Sequence, residues 1–407
     1  MLLSNKSKKW KIRIVGCQPV FFTIWCEYTV IFWIRVIFGR LPLFSLVTPY
    51  LFPLILTITL LLCGRYIISK ISLIDIIILI FGLSLWFSQK HFHPEYLDSF
   101  ETYELDFLLA FATFFVARIV ASEGFTTEFY YSLYRLSVIG IGFTSLYLLF
   151  GKTKDTVGGM MSTAYFILPS ILCAITICLD NPTPRRRVFF LVCIVMTVLM
   201  GTRGVLLATL IFTCLFYLVF RELTPKRAII IGFIVTTTFI VASLVDYRLV
   251  IYKLLTPLAK LLNLSSRILD GLLTGAVFND NGRRAFQEII WEKILMNPFG
   301  YGLFSDRYIT GTRINYVHNI VLELWAEFGI FLGSIPILFI VICTIILIKR
   351  ANTTRESKYI ILIFLCSAII KLLFSGTWIT ERYFYMLLGI LTGLLVKKKK
   401  RNKYTTI

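Results

Sequence analysis

Apolar residues run along this chain in blocks of about 17–25, separated by short polar breaks, rather than in the alternation of a half-buried strand. A bilayer needs roughly 20 apolar residues to be crossed as a helix. Only a helix or a closed barrel satisfies its own backbone in lipid, and these blocks are too long and too uniform for barrel strands. The pattern predicts twelve spans: 18–38, 42–63, 69–88, 105–121, 131–150, 161–179, 188–200, 204–220, 228–245, 317–347, 358–374 and 382–396. Glu27 and Arg35 interrupt the first. Spans seven and eight are short and turn tightly around Gly201 to Gly204. The expected fold is all-α, a polytopic transmembrane helix bundle with one large extracytoplasmic loop containing short helices.

That loop is 246–316, between spans nine and ten. Its first part, 246–262, places Leu249, Leu254, Leu255, Leu258, Leu261 and Leu262 on a helical spacing, interleaved with Arg248, Lys253 and Lys260. This reads as a helix lying at the membrane boundary and bent at Pro257. A second helix is expected from about Arg284 to Met296, ending at Asn297-Pro298, because the residue before proline disfavours helix. The remaining expected divisions are a cytoplasmic N-terminus at 1–17, spans one to nine over 18–245, spans ten to twelve over 317–396 and a basic tail at 397–407.

Composition agrees: 57% of residues are hydrophobic, 16% are charged and the mean hydropathy is +0.81. The net charge of +20 changes meaning once the spans are drawn. With the N-terminus inside, the inner segments hold 25 basic residues and the short outer loops six. That bias orients the chain, with both termini cytoplasmic, and suits anionic membrane lipid; it does not point to nucleic acid. The nine cysteines fall in spans or at their inner border, so they read as small apolar residues rather than a disulfide framework. No cleavable leader is expected, since the first apolar stretch lacks a small-residue cleavage site.

Ionisable residues near spans are the candidates for chemistry. Arg203, in Gly201-Thr202-Arg203-Gly204, is either a functional cation at membrane depth or a side chain that snorkels to the interface. Arg283 and Arg284 open the second loop helix, where the dipole opposes them; a bound anion reverses that cost, and plain solvation is the alternative. Arg307 and Arg313 add expected cationic surface. His318 opens span ten, either as a proton acceptor or as a hydrogen-bonded helix start. Asn319, Glu323 and Glu327 follow on one face, and the two carboxylates are expected to pair with a cation or to orient His318. His91 and His93 sit in an acidic loop that lacks a fixed third metal ligand. With no Asp-x-Asp, phosphate-cradling or nucleophile-elbow motif, any catalysis is expected to need no metal and no cofactor.

The ordered set Thr202-Arg203-Gly204, Gly282-Arg283 with Trp291, Asn297-Pro298-Phe299-Gly300-Tyr301-Gly302, His318-Asn319 and Glu327-Phe328-Gly329 resembles the O-antigen polymerase and O-antigen ligase superfamily of bacterial membrane glycosyltransferases. The resemblance covers about 201–333. It implies a bacterial inner-membrane enzyme whose donor is a glycan on a polyprenyl pyrophosphate, with Arg203 and Arg283 on the pyrophosphate and His318 receiving the acceptor's proton. Arg284, Arg313, Asn319 and Glu323 would line the substrate. The polymerase branch, which joins lipid-linked repeats and implies a chain-length regulator as a further partner, is the closer likeness. The ligase, which transfers the chain to lipid A–core, and a glycolipid transporter are the alternatives.

Overall fold

The computed structural model describes residues 16–27, 42–150, 157–199, 203–220, 256–257, 283–309 and 316–396, with side chains except at 42–49, 147–150, 157–163, 198–199 and 203. Among them every regular element is helical. In chain order these are α1 (Gln18–Cys26), α2 (Pro42–Lys70), α3 (Leu73–Phe92), α4 (Leu97–Glu123), α5 (Thr127–Phe150), α6 (Val157–Asp180), α7 (Pro184–Leu199), α8 (Arg203–Phe220), α9 (Arg283–Met296), α10 (Ser305–Ile309), α11 (Ile320–Lys349), α12 (Arg355–Phe374) and α13 (Arg382–Val396). Expected span nine, most of the amphipathic stretch 246–262, Arg313 and the basic residues of both termini lie outside the described residues.

Five of the described helices are long and apolar enough to cross a bilayer, and three shorter apolar helices accompany them; the expected total of twelve includes a span outside the described residues. Several expected boundaries move for local reasons. The third span starts at Leu73 rather than 69 because Ser72 and Asp75 form a reciprocal cap there. Span ten starts at Ile320 rather than 317 because the Asn319 side chain accepts from the Val321 and Leu322 amides.

Large apolar side chains face outward on α2 and α3 (Leu54, Leu61, Leu62, Ile77, Phe81) and on α11 (Phe331, Leu332, Ile335, Ile342). A face of that extent suits hydrocarbon and not water. The interior is aromatic: Phe21 meets Phe125, Phe129 and Phe364, and Trp86 stacks on Phe107 with centroids 4.2 Å apart.

Among the described helices the closest pair is α4 with α13. A Cβ on Gly389 would sit 2.2 Å from the Phe114 carbonyl oxygen, and one on Gly393 would sit 2.4 Å from that of Arg118; Ala117 and Ala121 face them. Small residues four apart on both sides let the backbones touch, which is how helices associate where lipid removes the hydrophobic drive. The two helices run in the same direction, since Tyr385 meets Phe107 and Phe111 while Gly393 meets Arg118 and Ala121.

Three buried ion pairs join the helices: Asp75 with Arg118, Glu27 with Arg382, and Lys371 with Glu381. At one end of the bundle Lys70 meets Glu123, Asp180 meets Arg355 and Thr127 donates to Glu356. Arg185 to Arg187, Lys349 and Arg350 sit on helix ends and connections there. The opposite end carries His318.

Candidate active site at the His318 end

The site rests on a backbone clamp. Asn297 and Pro298 end α9, and the Asn297 amide donates to the Gly300 carbonyl at 2.7 Å. The following turn lies against a kink in α11. Tyr301 N–H donates to Ala326 O (2.8 Å), Gly302 N–H to Glu327 O (3.0 Å) and Ile330 N–H to Pro298 O (2.9 Å). Gly300 and Gly329 have φ of +89° and +78°, and a Cβ on either would fall within about 2.5 Å of the other strand's backbone. The Asn-Pro-Phe-Gly-Tyr-Gly and Glu-Phe-Gly motifs are thus two halves of one joint.

Behind the joint lie buried charges. Arg307 is 1% exposed, with its guanidinium 4.4 Å from the Tyr103 ring centre and 4.8 Å from that of Phe304. It is therefore not the surface cation expected from sequence; the turn carries it inward, onto two aromatic faces. Asp306 accepts from the Val317 amide at 3.1 Å. Burial pushes its carboxyl above the ordinary range, while the Arg307 guanidinium and backbone amides pull it down. Glu323 accepts from the Thr377 hydroxyl and the Trp378 amide, and Glu327 from the Phe304 amide and the Trp378 indole. These carboxylates hold the turn and the loop 375–381 against α11, contacts that the expected role of orienting His318 did not include.

His318 sits at φ +55°, a left-handed backbone between the Val317 anchor and the Asn319 cap. Its ring lies 4.2 Å from that of Tyr316. Burial, then the nearby Arg283 charge, lower its pKa to about 4, so the imidazole is neutral near pH 7. Arg283 donates to the Phe374 carbonyl at 2.7 Å and lies in electrostatic reach of His318, Tyr316 and Tyr165. Tyr316 in turn accepts from the Gly376 amide at 3.1 Å. Tyr165 covers the first turn of α8: a Cβ on Gly204 would lie 2.1 Å from its hydroxyl oxygen.

The structure thus brings Arg283 and His318 together, with the backbone of Arg203 at the start of α8 reached through Tyr165. The Arg203 side chain lies outside the described ones. Arg284 turns outward, 80% exposed, onto Glu288 at 2.8 Å; of the doubled arginines, Arg283 is the one that enters the site. Asn319 caps α11, and Glu323 is buried under the 375–381 loop. His93 packs on Gly302 and bonds Glu95, and no cluster suited to a metal occurs among the described residues. Sequence reasoning passed over Tyr165, Asp306 and Lys371. Lys371 had a visible signal, a charge inside an otherwise apolar span.

A guanidinium beside a neutral imidazole can bind an anion and take up a proton. Residues 188–337, which include both groups and the whole clamp, match the family model described as O-antigen ligase. Over this segment the chain is similar to the O-antigen polymerase and ligase superfamily. No curated protein and no solved structure matches it. The superfamily consists of membrane glycosyltransferase-like enzymes, and Arg283, His318 and the clamp lie within the matched segment, while Tyr165 and the loop 375–381 lie outside it.

Proposed function

We propose that this protein is a glycosyltransferase that polymerises glycan repeats carried on a polyprenyl pyrophosphate, working at the extracytoplasmic face of the bacterial inner membrane. The observation that carries the reading is the pairing of Arg283 with a neutral His318 at the end of the bundle away from the basic helix ends. By the positive-inside rule those basic ends face the cytoplasm. Arg283, with Arg203 at the start of α8, holds the pyrophosphate and stabilises the charge it gains as it leaves. His318 accepts the proton of the attacking sugar hydroxyl. The electron pair of the broken glycosidic bond stays on the pyrophosphate.

A second reading is an O-antigen ligase, favoured by the description of the matching family model. The same charges act, and lipid A–core replaces the growing chain as acceptor. Arg283→Ala and His318→Ala in cells separate the two through the lengths of surface glycan on gels. Single-repeat surface glycan in the variants is expected for a polymerase. Loss of capped lipopolysaccharide, with long chains kept on the carrier, indicates a ligase. Wild-type ladders in both variants would reject either.

A further inference from the structure

One buried cation at the His318 end has no part in the chemistry above. Lys371 opens the last turn of α12, directly after a widened π turn at Cys366–Ile370. Such a turn re-aims the side chains beyond it and recurs at functional sites. The Lys371 side chain is 13% exposed and pairs with Glu381, itself 8% exposed. Its ammonium lies 5.8 Å from the centre of the Tyr165 ring and 6.0 Å from that of Phe166. Tyr165 is the residue that covers Gly204 and stands in the field of Arg283.

The same turn organises the rest of the site. Three residues on, the Phe374 carbonyl holds Arg283, and the Gly376 amide holds Tyr316. Gly376, at φ +84°, bends the chain so that Glu381 returns to Lys371. Two cations therefore flank one tyrosine; among the described residues Lys371 pairs with a carboxylate, and Arg283 rests on a backbone carbonyl. Glu381 offsets the Lys371 charge while no anion is present. An ammonium is a compact point charge that can donate to phosphate oxygen as well as to carboxylate.

We propose that Lys371 is a third cation of the pyrophosphate site, held ready by Glu381 and transferred to the pyrophosphate when the donor binds. This rests on the pyrophosphate-donor reading above. The test is calorimetric titration of the purified full-length protein with inorganic pyrophosphate. Arg283→Met serves as the reference variant, beside Lys371→Met and the double variant Lys371→Met/Glu381→Gln. Both Lys371 variants are expected to weaken binding by about tenfold, the scale of one lost charge-assisted contact. The double variant leaves no unpaired buried charge, so it should keep its melting temperature. Glu381→Gln alone should tighten binding. If the double variant binds like wild type while Arg283→Met has lost binding, Lys371 is a structural cation and the proposal fails alone. If Arg283→Met also binds like wild type, the pyrophosphate reading fails first.

Discussion

Two regions of this bundle are built on opposite rules. Along the seam of α4 and α13, Gly389 and Gly393 bring one backbone onto the other. Contact there is van der Waals, and volume decides. At the His318 end, buried arginine, lysine, aspartate and glutamate are held by specific hydrogen bonds and aromatic faces. There the identity of each charge decides. An added methyl should be ruinous in the first region, and a removed charge in the second.

The largest expected effect is at His318. His318→Ala should lower the transfer rate by about 10²–10⁴-fold, the usual range for a lost general base, with the melting temperature nearly unchanged. A melting temperature that collapses with the activity would put His318 with the structural seam instead. Arg283→Ala should cost about 10²–10³-fold, as for a lost stabiliser of developing charge, while Arg284→Ala, whose exposed partner is Glu288, should leave the rate near wild type. Equal losses in initial-rate assays would erase the distinction between inward and outward arginine.

Gly389→Leu should act the other way. Overpacking costs about 1–3 kcal/mol in an ordinary core, and backbone contact at 2.2 Å leaves less room still. Thermal unfolding in detergent should show the loss, and a variant that melts like wild type would refute the seam. The smallest effect is in the pH profile. In the free enzyme His318 charges only as the pH falls through about 4. The acidic limb of kcat/KM should lie there and the rate should be flat above it. A limb at the ordinary histidine position, about 6.5, would show that burial and Arg283 do not set the imidazole's charge.

The parts of this architecture that depend on local pattern are readable from the sequence. Hydropathy marks where the helices lie. Asn297-Pro298 marks the end of α9, which begins one residue before the expected Arg284. The order of short motifs marks Arg283 and His318. The parts that depend on contacts between distant residues are not readable in this way. Nothing near Arg307 distinguishes a surface arginine from one enclosed by Tyr103, two hundred residues earlier. Gly389 and Gly393 look like ordinary helix glycines until Ala117 and Ala121 are placed opposite. Tyr165 is one aromatic among many until α8 packs beneath it. Asp306 is captured by the Val317 amide, eleven residues on, a contact that the clamp sets.

The shared direction of α4 and α13 restricts how the chain is threaded through the bilayer. If 382–396 is the span that the sequence leads one to expect, α4 and α13 enter the membrane from the same compartment, and residues 124 and 381, after one and before the other, are left in opposite compartments. The chain between them would then traverse the membrane an odd number of times. Reporter fusions at those two positions should give opposite signals, and a pair that agrees would break the seam and the membrane path together.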